Sequence, residues 1–173
     1  MDPSESFAEY ARARAPSLVR FGYVLTGNQH DADDLAQEAL IRLGAAWERV
    51  RQKGDPEGYV RTIMVRLHIS WWRRRRRERL VGAVPERGYD DGGLADVDSR
   101  GGLWQALRGL APRQRAVLVL RYYERLSDEQ VAAVLGISRG TVRSTAFRAL
   151  ERLRSDLGGT GSAARSLLSR RSS

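Results

Sequence analysis

The 173-residue sequence predicts an all-α protein of two small helical domains joined by a flexible linker. Three observations carry that expectation. Apolar residues recur at spacings of three and four along most of the chain, no alternating apolar–polar run is sustained, and one segment rich in glycine and acidic residues separates two groups of helical pattern. The domains are expected over 1–79 and 103–157, with the linker over 80–102 and a disordered tail over 158–173. A hydrophobic content of 42% is compatible with packed cores in both.

In order along the chain, a first helix around Ser4 to Arg14 groups Phe7, Tyr10 and Ala11. Pro16 permits a new helical start carrying Leu18, Phe21 and Leu25 on one face, and Gly27-Asn28 ends it. A third helix, Asp31 to Val50, opens with Asp31, Asp33 and Asp34, where carboxylates favour the positive end of the helix dipole. Ala32, Leu35, Ala36, Ala39, Leu43, Ala46 and Trp47 make its buried stripe. Beside that stripe Asp34, Gln37, Glu38 and Ile41 fall at i, i+3, i+4 and i+7, a face of charge, amide and one apolar anchor that suits a partner helix. Such a stripe taken alone also fits a solvated surface with local pairs. Lys53-Gly54-Asp55 form a loop, Asp55 caps, Pro56 takes the first helical position, and a fourth helix runs to Arg79 with Val60, Met64, Leu67 and Trp71 inward.

Between Leu80 and Gly102 lie Pro85, six of the seventeen glycines, and Glu86, Asp90, Asp91, Asp96 and Asp98, which is the composition of a linker. The second domain opens with Leu103, Ala106, Leu107 and Leu110 at one spacing, then a helix from Pro112 with Val117, Leu118 and Tyr122 inward. From Leu126 to Leu153 the sequence reads as a DNA-binding helix-turn-helix. Ser127 and Gln130 form a capping box, Val131, Val134 and Leu135 face the core, and Gly136 supplies the left-handed turn. Ile137 plugs the turn and Ser138 caps a second helix that turns Val142, Ala146, Ala149 and Leu153 inward. Its outer face holds Arg143, Ser144, Phe147 and Arg148, side chains that can fork onto guanine or phosphate, bond either, or touch a thymine methyl.

Charge points the same way. Thirty Lys+Arg against twenty-one Asp+Glu leave +9, which favours a polyanionic partner, nucleic acid ahead of an anionic membrane surface. Seven arginines lie between Arg66 and Arg79, including the unbroken run Arg73 to Arg77 beside Trp71 and Trp72, and so basic a helix is expected to track phosphates. The absence of cysteine excludes a disulfide framework and thiolate metal sites, and His30 and His68 have no ligand spacing, so no metal and no cofactor are expected. No signal peptide and no membrane-length apolar run is present, which predicts a cytoplasmic protein without membrane attachment. No Gly-rich phosphate loop, nucleophile triad or paired apolar carboxylates support an enzyme.

Three segments in order resemble the extracytoplasmic-function group of bacterial sigma factors, in the sigma-70 superfamily. These are HDADDLAQEALIRLGAAW (His30 to Trp47), PEGYVRTIMVRLHISWWRRRRRER (Pro56 to Arg79) and LRGLAPRQRAVLVLRYYERLSDEQVAAVLGISRGTVRSTAFRALERLR (Leu107 to Arg154), and the SWWRRRRR wording is closest to actinobacterial members. The resemblance implies a sigma-2-like four-helix domain and a sigma-4-like helix-turn-helix domain, with core RNA polymerase and promoter DNA as partners and an anti-sigma factor as a regulator. It implies that Asp34, Gln37, Glu38 and Ile41 dock on the coiled coil of the large clamp subunit, with the polymerase flap as a further contact. It assigns the −10 element to Tyr59, Arg61, Arg66, Trp72, Arg73, Arg74, Arg76 and Arg77, and the −35 element to Arg139, Thr141, Arg143, Ser144, Phe147 and Arg148. The loop from Val50 to Gly58 would then help to enclose a flipped −10 base. Where many members of the family carry Asn and Asp, this chain has Arg66 and Ser70, so the −10 bases are not carried over. A stand-alone operator-binding regulator would use the same helix-turn-helix but leave the first domain without a role, and an arginine-rich RNA adaptor would leave the ordered second domain unexplained.

Overall fold

A computed structural model of the chain describes residues 6–81 and 100–169, without the side chains of 79, 100, 101 and 159–169. Positions 82–99 of the expected linker and 170–173 of the expected tail lie outside the described residues. The described residues form helices and connecting turns, in two compact units that divide between Asp91 and Gly92.

In the first unit, α1 (Phe7–Thr26) packs on α2 (Gln29–Ala45), and α2 packs on α4 (Pro56–Leu80), with the short α3 (Trp47–Gln52) between them. Ser6 caps α1 reciprocally with Glu9, whose backbone N–H donates to the serine hydroxyl at 3.3 Å. The two helices expected on either side of Pro16 are one. Tyr10, Leu18, Phe21 and Leu25 are all buried on a single face that runs through the proline. That shared burial offsets the about 3 kcal/mol an interior proline costs, and the Ser17 hydroxyl donates to the Arg14 carbonyl at 2.8 Å beside the interruption. Gly27 ends α1 in the left-handed conformation, and buried Asn28 caps α2 by accepting from the Asp31 N–H at 2.8 Å. At the crossing of α1 and α2 a Cβ on Gly22 would sit 3.0 Å from the Ala32 carbonyl oxygen, so any larger residue would press the two helices apart by a few tenths of an ångström.

The single helix expected over Asp31 to Val50 breaks at Ala46, whose φ of −112° and ψ of 6° lie off the helix. Beyond the break, Trp47 is wedged between Phe7 and Tyr10 at centroid distances of 5.6 and 5.0 Å, and Val50 joins the core. Asp55 then caps α4, its carboxylate accepting from the Gly58 N–H at 2.8 Å. Val60, Met64, Val65 and Leu67 complete this core.

In the second unit α5 (Arg100–Arg108), α6 (Pro112–Leu118) and α7 (Asp128–Leu135) each pack on α8 (Arg139–Ser169). Helix α5 begins inside the segment expected as linker, and its inward face is rotated from the expected one. Ala106 and Leu110 are buried, Leu103 is exposed, and the Trp104 ring lies 5.8 Å from the guanidinium of buried Arg115. Helix α6 passes into a π-helical turn, Val119–Tyr123, closed by a bond from the Glu124 N–H to the Val119 carbonyl at 3.0 Å. The wider turn carries Tyr122 out of the inward register expected for it and leaves it 58% exposed. Helix α8 continues past Gly158, beyond the domain end that the glycine and serine content suggests.

Candidate nucleic-acid interface

The helix-turn-helix is built by its caps. Ser127 and Gln130 exchange bonds at 2.8 and 3.3 Å, fixing the start of α7, and Gly136 takes φ 64° and ψ 41° at its end. The Ser138 hydroxyl accepts from the Thr141 N–H at 3.1 Å and starts α8. Val131, Val142, Ala146, Ala149 and Leu153 are buried, as the spacing predicts, and Thr145 joins them. With that face fixed, Arg143, Ser144, Phe147 and Arg148 stand together on the exposed arc, and Phe147 is 64% exposed. A bare phenylalanine in the centre of a basic arc suits contact with thymine methyl groups.

Of the other two positions expected here, Thr141 is half-buried with its hydroxyl 2.9 Å from that of Ser138, a place in the cap rather than on the arc. Arg139 is exposed and donates to Glu129 at 2.6 Å. Arg143 donates through Nε to Asp128 at 3.1 Å, and the other oxygen of that carboxylate lies 2.9 Å from Arg121 Nε. Arg148 donates to the Ser144 carbonyl on its own helix at 3.2 Å. Sequence reasoning missed Asp128 and Arg121, because no spacing rule joins a π-turn, a helix start and a position fifteen residues further on.

On α4, five consecutive arginines cannot share one face, since each residue turns the helix by about 100°. Arg75, half-buried, turns toward α2 and pairs with Asp31 at its start, 3.1 Å away. Arg73, Arg74, Arg76 and Arg77 are exposed. Arg74 pairs with Glu78 at 3.1 Å, and the Arg76 guanidinium lies 5.3 Å from the centre of the Trp72 ring, itself 37% exposed. Trp71 is half-buried and Arg66 is exposed.

The structure separates Arg61 from that surface. Its side chain pairs with Glu57 at 2.8 Å and lies 5.3 Å over the Phe21 ring, holding α4 to α1. Glu57 also accepts from the Tyr10 hydroxyl at 3.1 Å and lies 3.8 Å from Arg14. Burial first, and then the Glu57 charge, push the Tyr10 phenol well above its ordinary range. Tyr59 is half-buried near this cluster in sequence. The loop expected over Val50 to Gly58 is shorter in the structure: Val50 is buried within α3, Gly58 lies in α4, and only residues 53–55 lie between the helices.

On α2, Asp34, Gln37 and Ile41 are exposed and Glu38 is half-buried, so the four form one surface stripe. Asp34 lies 3.4 Å from His30 and Glu38 2.8 Å from Arg42, both pairs along the helix, while Ile41 is 60% exposed. Among the described residues no group of acidic or histidine side chains could hold a metal ion, and no helix is long and apolar enough to cross a membrane.

An exposed basic arc on a capped helix-turn-helix, preceded by a helical unit with its own arginine helix, defines a DNA-binding class. Residues 10–78 match the family model for sigma-70 region 2, and residues 106–155 match that for sigma-70 region 4. The chain is 42% identical over 152 residues to the RNA polymerase sigma-E factor of Streptomyces coelicolor, covering 87% of this chain and 85% of that one. It is 40% identical over 158 residues to the ECF RNA polymerase sigma factor SigE of Mycolicibacterium smegmatis, covering 86% of this chain and 60% of that one. Among solved structures, the Bartonella quintana sigma factor RpoE, determined in complex with the anti-sigma factor NepR, matches with a TM-score of 0.70 at 25% identity, over 88% of this chain and 96% of that chain. The chain belongs to the sigma-70 family, in its extracytoplasmic-function group of RNA polymerase sigma factors.

Proposed function

We propose that this chain carries RNA polymerase to promoters through three separate surfaces, each with its own chemistry. The α8 arc of Arg143, Ser144, Phe147 and Arg148 enters the major groove of the −35 element, with Arg139 beside it at the start of the helix. The exposed arginines of α4, with Trp72, Arg66 and Tyr59, hold the −10 region, and Arg61 acts there by fixing the helix rather than by touching DNA. The α2 stripe docks core polymerase on the coiled coil of its large clamp subunit, with Ile41 as the apolar anchor and Asp34, Gln37 and Glu38 setting register. The second unit meets the polymerase flap.

The observation that carries this reading is the exposed arc itself, a phenylalanine flanked by arginines with the opposite face fully buried. A stand-alone operator-binding regulator would use that arc alone and would have no use for the Ile41 stripe or the α4 arginines. Regulation by an anti-sigma factor fits the same surfaces, since a protein covering Ile41 would block core polymerase and one covering Phe147 would block promoter DNA. The reading places the chain in the cytoplasm, where core polymerase is, and gives it no catalytic role of its own. In vitro transcription with core enzyme on a genomic library, with sequenced start sites, tests it. Discrete promoters appearing only when the chain is added are expected, and core enzyme that starts at the same sites without the chain would overturn the assignment.

A further inference from the structure

Every arginine on the α8 arc must be held in one rotamer to read a base, because a flexible guanidinium yields charge without discrimination. For Arg143 the structure shows what holds it. Asp128 stands in the first turn of α7, where the positive helix end favours a carboxylate, and its side chain is only 18% exposed. One oxygen accepts from Arg143 Nε at 3.1 Å and the other lies 2.9 Å from Arg121 Nε. Arg121 belongs to the π-helical turn, Asp128 to the first helix of the helix-turn-helix and Arg143 to the second, so one carboxylate ties three elements together.

The atoms used matter. Arg143 is engaged only along its Nε side, and among the described residues its two terminal nitrogens have no partner while the side chain is 64% exposed. Those two nitrogens form the end-on edge of the guanidinium, the edge that bonds O6 and N7 of guanine together. Arg121 keeps the carboxylate from turning away, because rotating Asp128 toward solvent would break its bond to a side chain that is 29% exposed. Ordering Arg143 therefore takes place on folding, and less rotamer entropy is lost on binding DNA.

We infer that Asp128 is a specificity-determining positioning residue: backed by Arg121, it orients the Arg143 guanidinium for base readout in the −35 element while touching no DNA itself. The inference rests on the proposed reading of Arg143 as a base-contacting residue, and the test separates the two. Holoenzyme reconstituted from core RNA polymerase and the full chain is used to select from randomised −35 sequences, comparing wild type with Asp128→Asn, Arg121→Gln, Arg143→Ala and Asp128→Asn/Arg143→Ala.

Asp128→Asn keeps the shape and the Ser127 cap but removes the charge. It is expected to lower discrimination roughly tenfold at the one base position that Arg143→Ala relaxes. Arg121→Gln should relax the same position less, and the double variant should be no more relaxed than Arg143→Ala alone. An unchanged motif with Asp128→Asn, or an equal loss of affinity for all sequences as an ion pair serving only stability would give, overturns the inference. Should circular dichroism show that Asp128→Asn does not fold, Arg121→Gln decides on the same criterion. An unchanged motif with Arg143→Ala instead overturns the reading of Arg143 on which the inference rests.

Discussion

The chain carries two arginine surfaces that differ in how their charge is held. On α4 the guanidiniums radiate around the helix, and two of them meet neighbours on the same helix: Glu78 for Arg74, the Trp72 ring for Arg76. On α8 Arg139 and Arg143 are one turn apart and each meets an acid from α7, Glu129 and Asp128. Side chains held by a second helix keep a defined direction relative to the groove, whereas side chains fanned around one helix present charge in every direction. The first arrangement suits base readout and the second suits phosphates, so the two surfaces should fail in different ways when cut.

The largest effect is expected on α4. Replacing Arg73, Arg74, Arg76 and Arg77 together by Ser, with Arg75 kept, should flatten the plot of log promoter affinity against log salt by roughly 3 to 4, at about 0.7–0.9 for each of four phosphates no longer neutralised. Sequence preference in the −35 element should be unchanged. A wild-type slope in the quadruple variant would show that the run is a solvated face and would remove the contrast.

On α8 the next effect divides two arginines of the same arc. Arg143→Ala should cost roughly 1–3 kcal/mol of discrimination at one −35 position, and Arg148→Ala should weaken all sequences alike and reduce the salt slope by about 1. Selection by each mutant holoenzyme measures both. A shared outcome for the two variants would mean that the α7 acids make no difference.

The outline of both surfaces was legible in the sequence because it depends on local rules. Capping box, glycine turn and helical spacing fix α7 and α8, and once Val142, Ala146 and Ala149 face inward the arc opposite them is determined. What was not legible depends on contacts distant in sequence. Pro16 reads as a boundary, yet the face through Tyr10, Leu18 and Phe21 is buried in a helix packed on α2, which holds α1 together across the proline. Tyr122 reads as core, yet a π-turn with no sequence signature rotates it outward. Arg61 reads as part of a basic helix, and only the approach of α1 to α4 turns it into a strut on Glu57 and Phe21.

A smaller effect is expected at the α2 stripe, where a third kind of surface, with an apolar anchor in place of arginines, should not respond to DNA sequence. Gln37→Ala/Ile41→Ala should weaken binding to core polymerase by about 1–3 kcal/mol, as for one apolar anchor and its polar neighbour. Circular dichroism should not change, since Gln37 and Ile41 are both exposed. Titration of labelled chain with core enzyme gives the affinity, and wild-type binding by the double variant would detach this stripe from polymerase.

The smallest effect sharpens the comparison inside the α4 run itself. Arg75 has four arginine neighbours in sequence, but its guanidinium meets Asp31 at 3.1 Å, where the Asp31 side chain is 17% exposed. If position around the helix rather than charge decides what an arginine does, Arg75→Ala should leave the salt slope of promoter binding within error and act on stability alone. A half-exposed pair of this kind contributes about 1 kcal/mol or less, so the melting temperature of the first unit should fall by no more than about 4–8 °C. Asp31→Asn should lower it by a similar amount, and the double variant should add little to either single change, because both remove the same ion pair. A slope reduced by Arg75→Ala as much as by Arg76→Ala would show that Arg75 also faces phosphate and leaves Asp31 when DNA binds.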